Sequence, residues 1–169
     1  MPDLTRTPLP PSAGRATLSR IMTSLDVNLL GTVHGGVVMK LVDDVAGIAA
    51  ARHSHGNAVT AAMDEMVFLR PVRIGDLVHA HAQVNWAGRT SMEVGVRVTA
   101  ERWNETLPAE HVASAYLVFV AIDEGNRPRS VPPVAAETDL DRQRFAEAEI
   151  RRANRLARRQ EIRASRDSR

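Results

Sequence analysis

The run VVMKLVDDVAGIAAARH, residues 37–53, decides how this chain folds. It is long, alanine-rich and almost free of helix breakers, and its length favours a helix over a strand. Val38, Leu41, Val42, Val45, Ile48 and Ala49 are all apolar, so most of the helix circumference must be buried. Gly47 and the alanines suit a helix lying close against a sheet. Immediately before it stands Leu29-Leu-Gly31-Thr-Val-His34-Gly35-Gly36, whose three glycines argue for a turn with backbone left bare.

Outward from this core the pattern is strand-like. Residues 17–28 alternate polar and apolar, as a first strand would. After the SHGNA turn comes VTAAMDEMVFL, with Pro71 and Gly75 punctuating its exit. LVHAHAQVNWA alternates, AGR turns, and TSMEVGVRVTAERW alternates again. Its Met92, Val94, Val96 and Val98 share one face with the period of two expected of a half-buried strand. NETLPAE breaks the pattern, HVASAYLVFVAI is a last apolar strand, and RPRSVPPV ends the sheet. The expected architecture is therefore α+β. One antiparallel sheet wraps a long central helix, and four strands follow that helix in succession through hairpin-length turns. A polar helix from Asp139 to about Arg163 closes the chain. The expected organisation is a flexible leader over 1–15, the α+β domain over 16–125, a Pro-rich linker over 126–138 and an Arg-rich helix or tail over 139–169. A sheet covered on one face by a single helix also predicts self-association.

Composition narrows the function classes. The chain has 169 residues, 44% hydrophobic and 25% charged, in the range of a globular protein with one core. No apolar run suggests a membrane span, and residues 1–15 lack the apolar core of a secretory signal. The expectation is a cytoplasmic protein. The absence of cysteine excludes disulfides, Cys-ligated zinc and thiol nucleophiles. The formal net charge is +2, yet residues 142–169 hold ten arginines, so the basic charge is concentrated in the tail.

Asn28, Gly35, Gly36, Asp43 and Asp44 form the constellation with chemical content. At a helix start, backbone N–H groups lack intrahelical partners and carry partial positive charge. Glycine there lets a ligand approach, and a carbonyl resting on those groups is polarised as its oxyanion develops. Asp43 lies two turns into the same helix. A carboxylate on a largely buried helix costs free energy unless it is paired or put to use, and in a cleft it can attack a carbonyl or activate water. A blander alternative also fits: Asp43 and Asp44 pair with Lys40, three and four residues earlier, on a solvated strip.

Taken together, N-x-x-G-x-x-H-G-G-x-x-M-K-x-x-D-D-x-A from Asn28 to Ala46, F-L-R-P-V-x-x-G-D from Phe68 to Asp76 and G-R-T-S-M-E-V from Gly88 to Val94 resemble the hotdog-fold acyl-CoA thioesterases. The group most similar is the cytosolic acyl-CoA hydrolases of broad acyl-chain range, and the resemblance spans roughly residues 17–125. It implies hydrolysis of medium- to long-chain acyl-CoA without a metal or separate cofactor. It also implies dimers joined sheet edge to edge, further assembly into trimers of dimers, and active sites between subunits. By the same resemblance Asp43 is nucleophile or general base, Asn28 serves from the partner subunit, and the N–H groups at Gly36 and its neighbours bind the carbonyl oxygen. Asp44 is then a structural neighbour.

The remaining substrate contacts are less distinctive. Gly35 and His34 adjoin the carbonyl site, Thr60, Ala61 and Ala62 can pair with pantetheine amides through their backbone, and Arg89, Thr90 and Ser91 can meet phosphate or pantetheine. His79 and His81 have acceptable metal-ligand spacing on a strand, but no acidic or cysteine partner completes a set. Three rivals remain: an aryl-acetyl-CoA hotdog thioesterase, an acyl-CoA-binding module without catalysis, and a nucleic-acid-binding tail. Against the last, Glu147, Glu149 and Glu161 interrupt the arginines and no aromatic platform accompanies them.

Overall fold

The computed structural model describes residues 7–167. Residues 1–6 of the expected leader and 168–169 of the tail lie outside the described residues. The elements are α1 (Pro11–Gly14), β1 (Ala16–Ile21), α2 (Gly35–Ser54), β2 (Ala58–Phe68), β3 (Asp76–Ala87), β4 (Ser91–Arg102), β5 (Glu110–Ala121) and α3 (Asp139–Asp167). Five antiparallel strands form one sheet in the order β1-β3-β4-β5-β2.

The expected α+β architecture is the one found, and the reason is apolar matching. The alternation in β4 directs Met92, Val94, Val96 and Val98 inward, and β5 contributes Ala113, Ala115, Leu117 and Phe119 to the same side. Against them lie Val38, Leu41, Val42, Val45, Ala46 and Ala49 of α2, all buried. The alanines on both surfaces keep helix and sheet close, at packing density where each methyl counts.

Several boundaries and one connection differ from the sequence reading. The first strand ends at Ile21, because Thr23 and Asp26 close a capping box around a 3-10 turn at Ser24–Asp26. Only β3–β4 and β4–β5 are hairpins. The β2–β3 connection instead crosses from one edge of the sheet to the strand beside the other edge. On the way Val72 is buried and accepts a hydrogen bond from Val33 N–H at 2.8 Å, tying the crossover to the loop before α2.

Residues 7–15 are not free. Leu9 exchanges backbone hydrogen bonds with Pro133 and Ala135, and α1 packs on α2 with Pro11 and Gly14 buried. Residues 126–138 likewise lie against the domain: Val131 is buried, and Arg129 donates to the Ser54 carbonyl at 2.7 Å.

Candidate active site

Two polar groupings flank α2, one at its start and one beside its middle. At the start, a tight loop precedes the helix. Asn28 N–H donates to Thr32 O at 2.8 Å, Gly31 sits at φ +76°, and Asn28 Oδ1 accepts from Leu30 N–H at 2.9 Å. Asn28 Nδ2 donates to Thr32 Oγ1 at 3.0 Å, so its side chain shapes its own loop. Asp26 anchors that loop: its backbone carbonyl accepts from His34 N–H at 2.7 Å, and its carboxylate from Arg20 at 2.5 Å. The Thr23 backbone N–H holds the Asp26 carboxyl below its ordinary range, outweighing the opposing effect of burial, with the Thr23 hydroxyl and Arg20 adding to it.

His34 is the N-cap of α2, and its Nδ1 accepts from Gly36 N–H at 2.9 Å. The helix starts at Gly35, two residues earlier than the apolar run suggests. The Gly36 N–H expected to be bare is therefore capped by an imidazole, and a carbonyl reaches it only when that ring turns away. Gly35 is the first helical residue, so its N–H has no helical carbonyl to bond. Beside it opens an apolar cleft of about 330 Å³ lined by Val33, Val38, Phe68, Leu69 and Val72 among others. A Cβ on Gly35 would stand 3.4 Å from the Phe68 ring. Phe68 thus lies beside the helix start, within ordinary van der Waals reach of position 35.

The second grouping centres on Asp43. Thr60 Oγ1 on β2 donates to Asp43 Oδ1 at 2.7 Å. Lys40 is engaged elsewhere, by Asp44 at 2.6 Å on the exposed side. The pairing alternative thus holds for Asp44, while Asp43 faces the edge strand with a hydroxyl as its recorded partner. β2 pairs on one side with β5 and presents its other edge without a strand. Ala61 occupies a register shift between Thr60 and Ala62, which interrupts the ladder beside Asp43.

These groupings do not meet within one chain. Seven residues separate Gly36 from Asp43, about 10 Å along the helix axis. Among the described residues no hydrogen bond joins Asn28 to Asp43. The Gly88–Ser91 turn lies near the Asp43 end: Ser91 pairs with Val120, which pairs with Val59. Its carbonyls are tied down, Arg89 O by Val131 N–H at 3.0 Å and Thr90 O by Ala121 N–H at 3.0 Å, leaving the Arg89 side chain exposed. The chain therefore carries the glycine-rich helix start at one end of β2 and the Asp43 carboxylate nearer the other.

Sequence reasoning placed Asp43 and Thr60 as separate candidates and missed the bond between them, since nothing in their spacing marks it. It also missed the placement of Phe68 beside Gly35, although F-L-R-P was visible as a motif. His79 and His81 are engaged by the hydroxyls of Ser19 (2.7 Å) and Thr17 (3.1 Å).

Comparison with known proteins agrees with this fold. Residues 30–105 match the profile of the thioesterase superfamily. The chain is 43% identical over 115 residues to an uncharacterized acyl-CoA thioester hydrolase of Bacillus subtilis, covering 68% of this chain and 66% of that protein. It is 38% identical to another from Zymomonas mobilis, covering 75% of this chain and 84% of that protein. Identity to the cytosolic acyl coenzyme A thioester hydrolase of Mus musculus is 34% over 94% of this chain, but the match spans only 42% of that longer protein. Among solved structures, an acyl-CoA hydrolase from Staphylococcus aureus in complex with butyryl coenzyme A, coenzyme A and coenzyme A disulfide superposes with a TM-score of 0.84 at 32% identity, over 95% of this chain and 94% of that one. An apo-hexameric acyl-CoA thioesterase gives 0.86 at 32% identity, over 90% and 97%. The Staphylococcus aureus protein has also been solved with an aspartate, an asparagine and a threonine each replaced by alanine. With a sheet wrapped on one buried helix, a glycine-rich helix start and matches that run most of its length, this chain belongs to the thioesterase superfamily, with the hotdog fold.

Proposed function

We propose that this protein hydrolyses acyl-CoA thioesters to a free fatty acid and coenzyme A, using Asp43 as nucleophile or general base and the start of α2 as the oxyanion site. The observation that carries the proposal is the Asp43 carboxylate, aimed at an open strand edge, oriented by Thr60 at 2.7 Å and without a cation among the described residues while its neighbour Asp44 takes Lys40. As general base, Asp43 accepts a proton from water as the hydroxide forms a bond to the thioester carbon. The C–S bond then breaks, the acyl group leaves as carboxylic acid, and the sulfur takes a proton to become the coenzyme A thiol. As nucleophile, Asp43 attacks the thioester carbon and expels coenzyme A thiolate, which takes a proton, and water then cleaves the resulting mixed anhydride to the fatty acid and the free Asp43 carboxylate. In both cases the negative charge on the carbonyl oxygen is met by helix-start N–H groups, with His34 as a displaceable cap.

The separation of the two halves along α2 supports a site completed by a second copy. Asn28 and the glycine end of one chain then serve Asp43 of another. The edge strand β2 supplies the joint, and a hexameric relative supports a dimer that assembles further into a trimer of dimers. The apolar cleft beside Gly35 supports an acyl tail of medium to long chain. Arg89, Thr90 and Ser91, with the Thr60–Ala62 edge, are the proposed contacts of the coenzyme A moiety. No metal or separate cofactor enters this reaction, and the cytosolic relative supports a cytoplasmic location. Nucleic acid is not a proposed partner, because Arg151, Arg152 and Arg155 are spent on Glu93, Trp86 and Asp64.

The test is thiol release from a panel of acyl-CoA esters of increasing chain length, with aryl-acetyl-CoA included. Asp43→Ala is expected to lower kcat by about a hundredfold or more, the usual scale for a lost general base, with the circular dichroism spectrum unchanged. Full activity in that variant would sink the mechanism, and a preference for aryl-acetyl-CoA would reassign the substrate.

A further inference from the structure

The outer face of the sheet, opposite α2, is polar in ordered rows. His81, Arg97 and Ser114 are cross-strand neighbours on β3, β4 and β5, and Gln83, Gly95 and Tyr116 form the next row. α3 lies over these rows with Arg144 and Glu147, and Arg15 stands at one end. Between them opens a cleft of about 350 Å³ with two buried amides, Gln83 and Asn85, in its floor. Asn85 is 3% exposed, yet its side-chain contacts to Gln83 and Glu93 are both 3.5 Å, at the outer limit of a hydrogen bond. A Cβ on Gly95 would collide with Asn85 Nδ2, so the glycine leaves that amide lying over β4. A buried amide held this loosely retains hydrogen-bonding capacity that a ligand can use. The Tyr116 hydroxyl, in the same cleft, has no hydrogen-bond partner among the described residues.

We propose that this cleft binds a small phosphomonoester with a hydroxylated body, such as a sugar phosphate. Three arginines supply the anion site: Arg97 from the sheet, Arg144 from α3 and Arg15 from the segment before β1. Arg97 and Arg144 have no carboxylate partner among the described residues, and Arg15 stands 4.0 Å from Asp141. Set against them are Asp141 and Glu147, the latter bound to Gln143 at 2.8 Å, so a positive surplus remains. The Glu93 carboxylate beside Asn85 is already neutralised by Arg151. Burial first, then His79 and then Arg97 lower the His81 pKa, so the Arg97 charge is felt at the cleft floor. Cations on separate elements can surround a tetrahedral phosphate, whereas a planar carboxylate matches a single guanidinium fork. The Gln83 and Asn85 amides and the Tyr116 hydroxyl suit the hydroxyls of the body. Arg151 already covers the Tyr116 ring at 3.6 Å, which favours such hydroxyls over a stacked base. The volume sits at the small end for ligand pockets, as a compact metabolite requires.

Isothermal titration calorimetry of the full chain with ribose 5-phosphate, inorganic phosphate and ribose tests this. Ribose 5-phosphate is expected to bind about tenfold more tightly than inorganic phosphate, the scale of one or two added hydrogen bonds, and ribose not at all. Arg97→Ala and Arg144→Ala should each weaken ribose 5-phosphate binding about tenfold or more, as loss of a charge-assisted hydrogen bond does. Arg89→Ala, at the proposed coenzyme A contact, should leave that binding intact. Circular dichroism checks the fold of each variant, and two separate arginines keep the test valid if one change disturbs folding. No binding of either phosphate compound overturns the site. Equal affinity for ribose 5-phosphate and inorganic phosphate overturns the hydroxylated body and with it the proposal. Binding that falls in Arg89→Ala but survives in both cleft variants puts the ligand at the coenzyme A contact and overturns the proposal as well.

Discussion

Asp43 and Asp44 are chemically identical neighbours separated by 100° of helix rotation, and that rotation divides their labour. Asp44 points outward to Lys40, four residues earlier, in an exposed pair of the kind worth about 0.3–0.5 kcal/mol. Asp43 points to β2 and takes the Thr60 hydroxyl. In the proposed mechanism Thr60 is a positioning residue for the carboxylate. Hydrogen bonds to charged groups contribute about 1.5–3 kcal/mol, so Thr60→Val should lower kcat/KM by about 10- to 100-fold. Thr60→Ser should restore most of it, and the melting temperature should hardly move because the residue is exposed. Equal loss in the serine and valine variants would assign Thr60 a packing role instead. At the helix start, the sequence pointed to Gly36, yet the donor there is already held by His34. A histidine two residues before a glycine reads as an ordinary neighbour until the backbone brings its ring over the N–H.

Among the elements, α3 departs furthest from its sequence appearance. Its composition is that of a solvated helix, but Arg151, Arg152 and Arg155 all serve the sheet. Glu93 is only 3% exposed, and Arg151 satisfies it with two nitrogens while covering Tyr116. Removing one partner of a buried pair leaves an uncompensated charge, so Arg151→Ala should destabilise the fold by about 3–5 kcal/mol. Replacing both residues, as in Glu93→Leu/Arg151→Met, should cost less than the single change, as urea unfolding would show. A single-variant cost under about 1 kcal/mol would mean that the pair behaves as a surface contact. The strand β2 was legible as a strand, but its two register shifts were not. They turn Asp64 to the face where Arg155 waits and place Thr60 beside Asp43, and both depend on partners distant in the chain.

For the whole molecule, acid stability follows from groups buried at the joints between elements. His53 is fully buried where α2 meets the Pro-rich segment, with its Nε2 bonded to Pro132 O at 2.9 Å. Burial is the main cause that lowers its pKa from the ordinary 6.5, aided by His55, while the Pro132 carbonyl opposes it. A lowered histidine pKa means that the unfolded chain binds the proton first. Its stabilising effect is therefore complete above about pH 6.5 and is lost as pH falls toward the folded value. His81 is shifted the same way, by burial first and then by His79 and Arg97. Asp26 and Asp141 are shifted below the ordinary 3.8, so their contribution is lost only in stronger acid. For Asp141 burial alone would raise the value, but hydrogen bonds from Thr138 prevail, with Gln83 and Arg15 assisting. Melting temperature should thus decline between about pH 7 and 5, with a shallower slope in His53→Gln. An identical slope in that variant would remove His53 as the cause.

Local sequence determined the identity of most elements. A breaker-free apolar run makes α2, period-two alternation makes the strands, and paired glycines mark the helix start, because these depend on residues only a few positions apart. Pairing and connectivity were decided by tertiary structure alone. The crossover that sends β2 to the far edge, the docking of residues 7–15 and 126–138, and the reach of α3 over the sheet all join residues tens of positions apart. The physical reason is that burial fixes which faces meet, and no local pattern encodes which distant face is available. The same holds for the proposed active site. Its residue types stand in one short stretch, but a helix rise of about 1.5 Å per residue keeps Gly36 and Asp43 apart, so a single fold presents them as two halves.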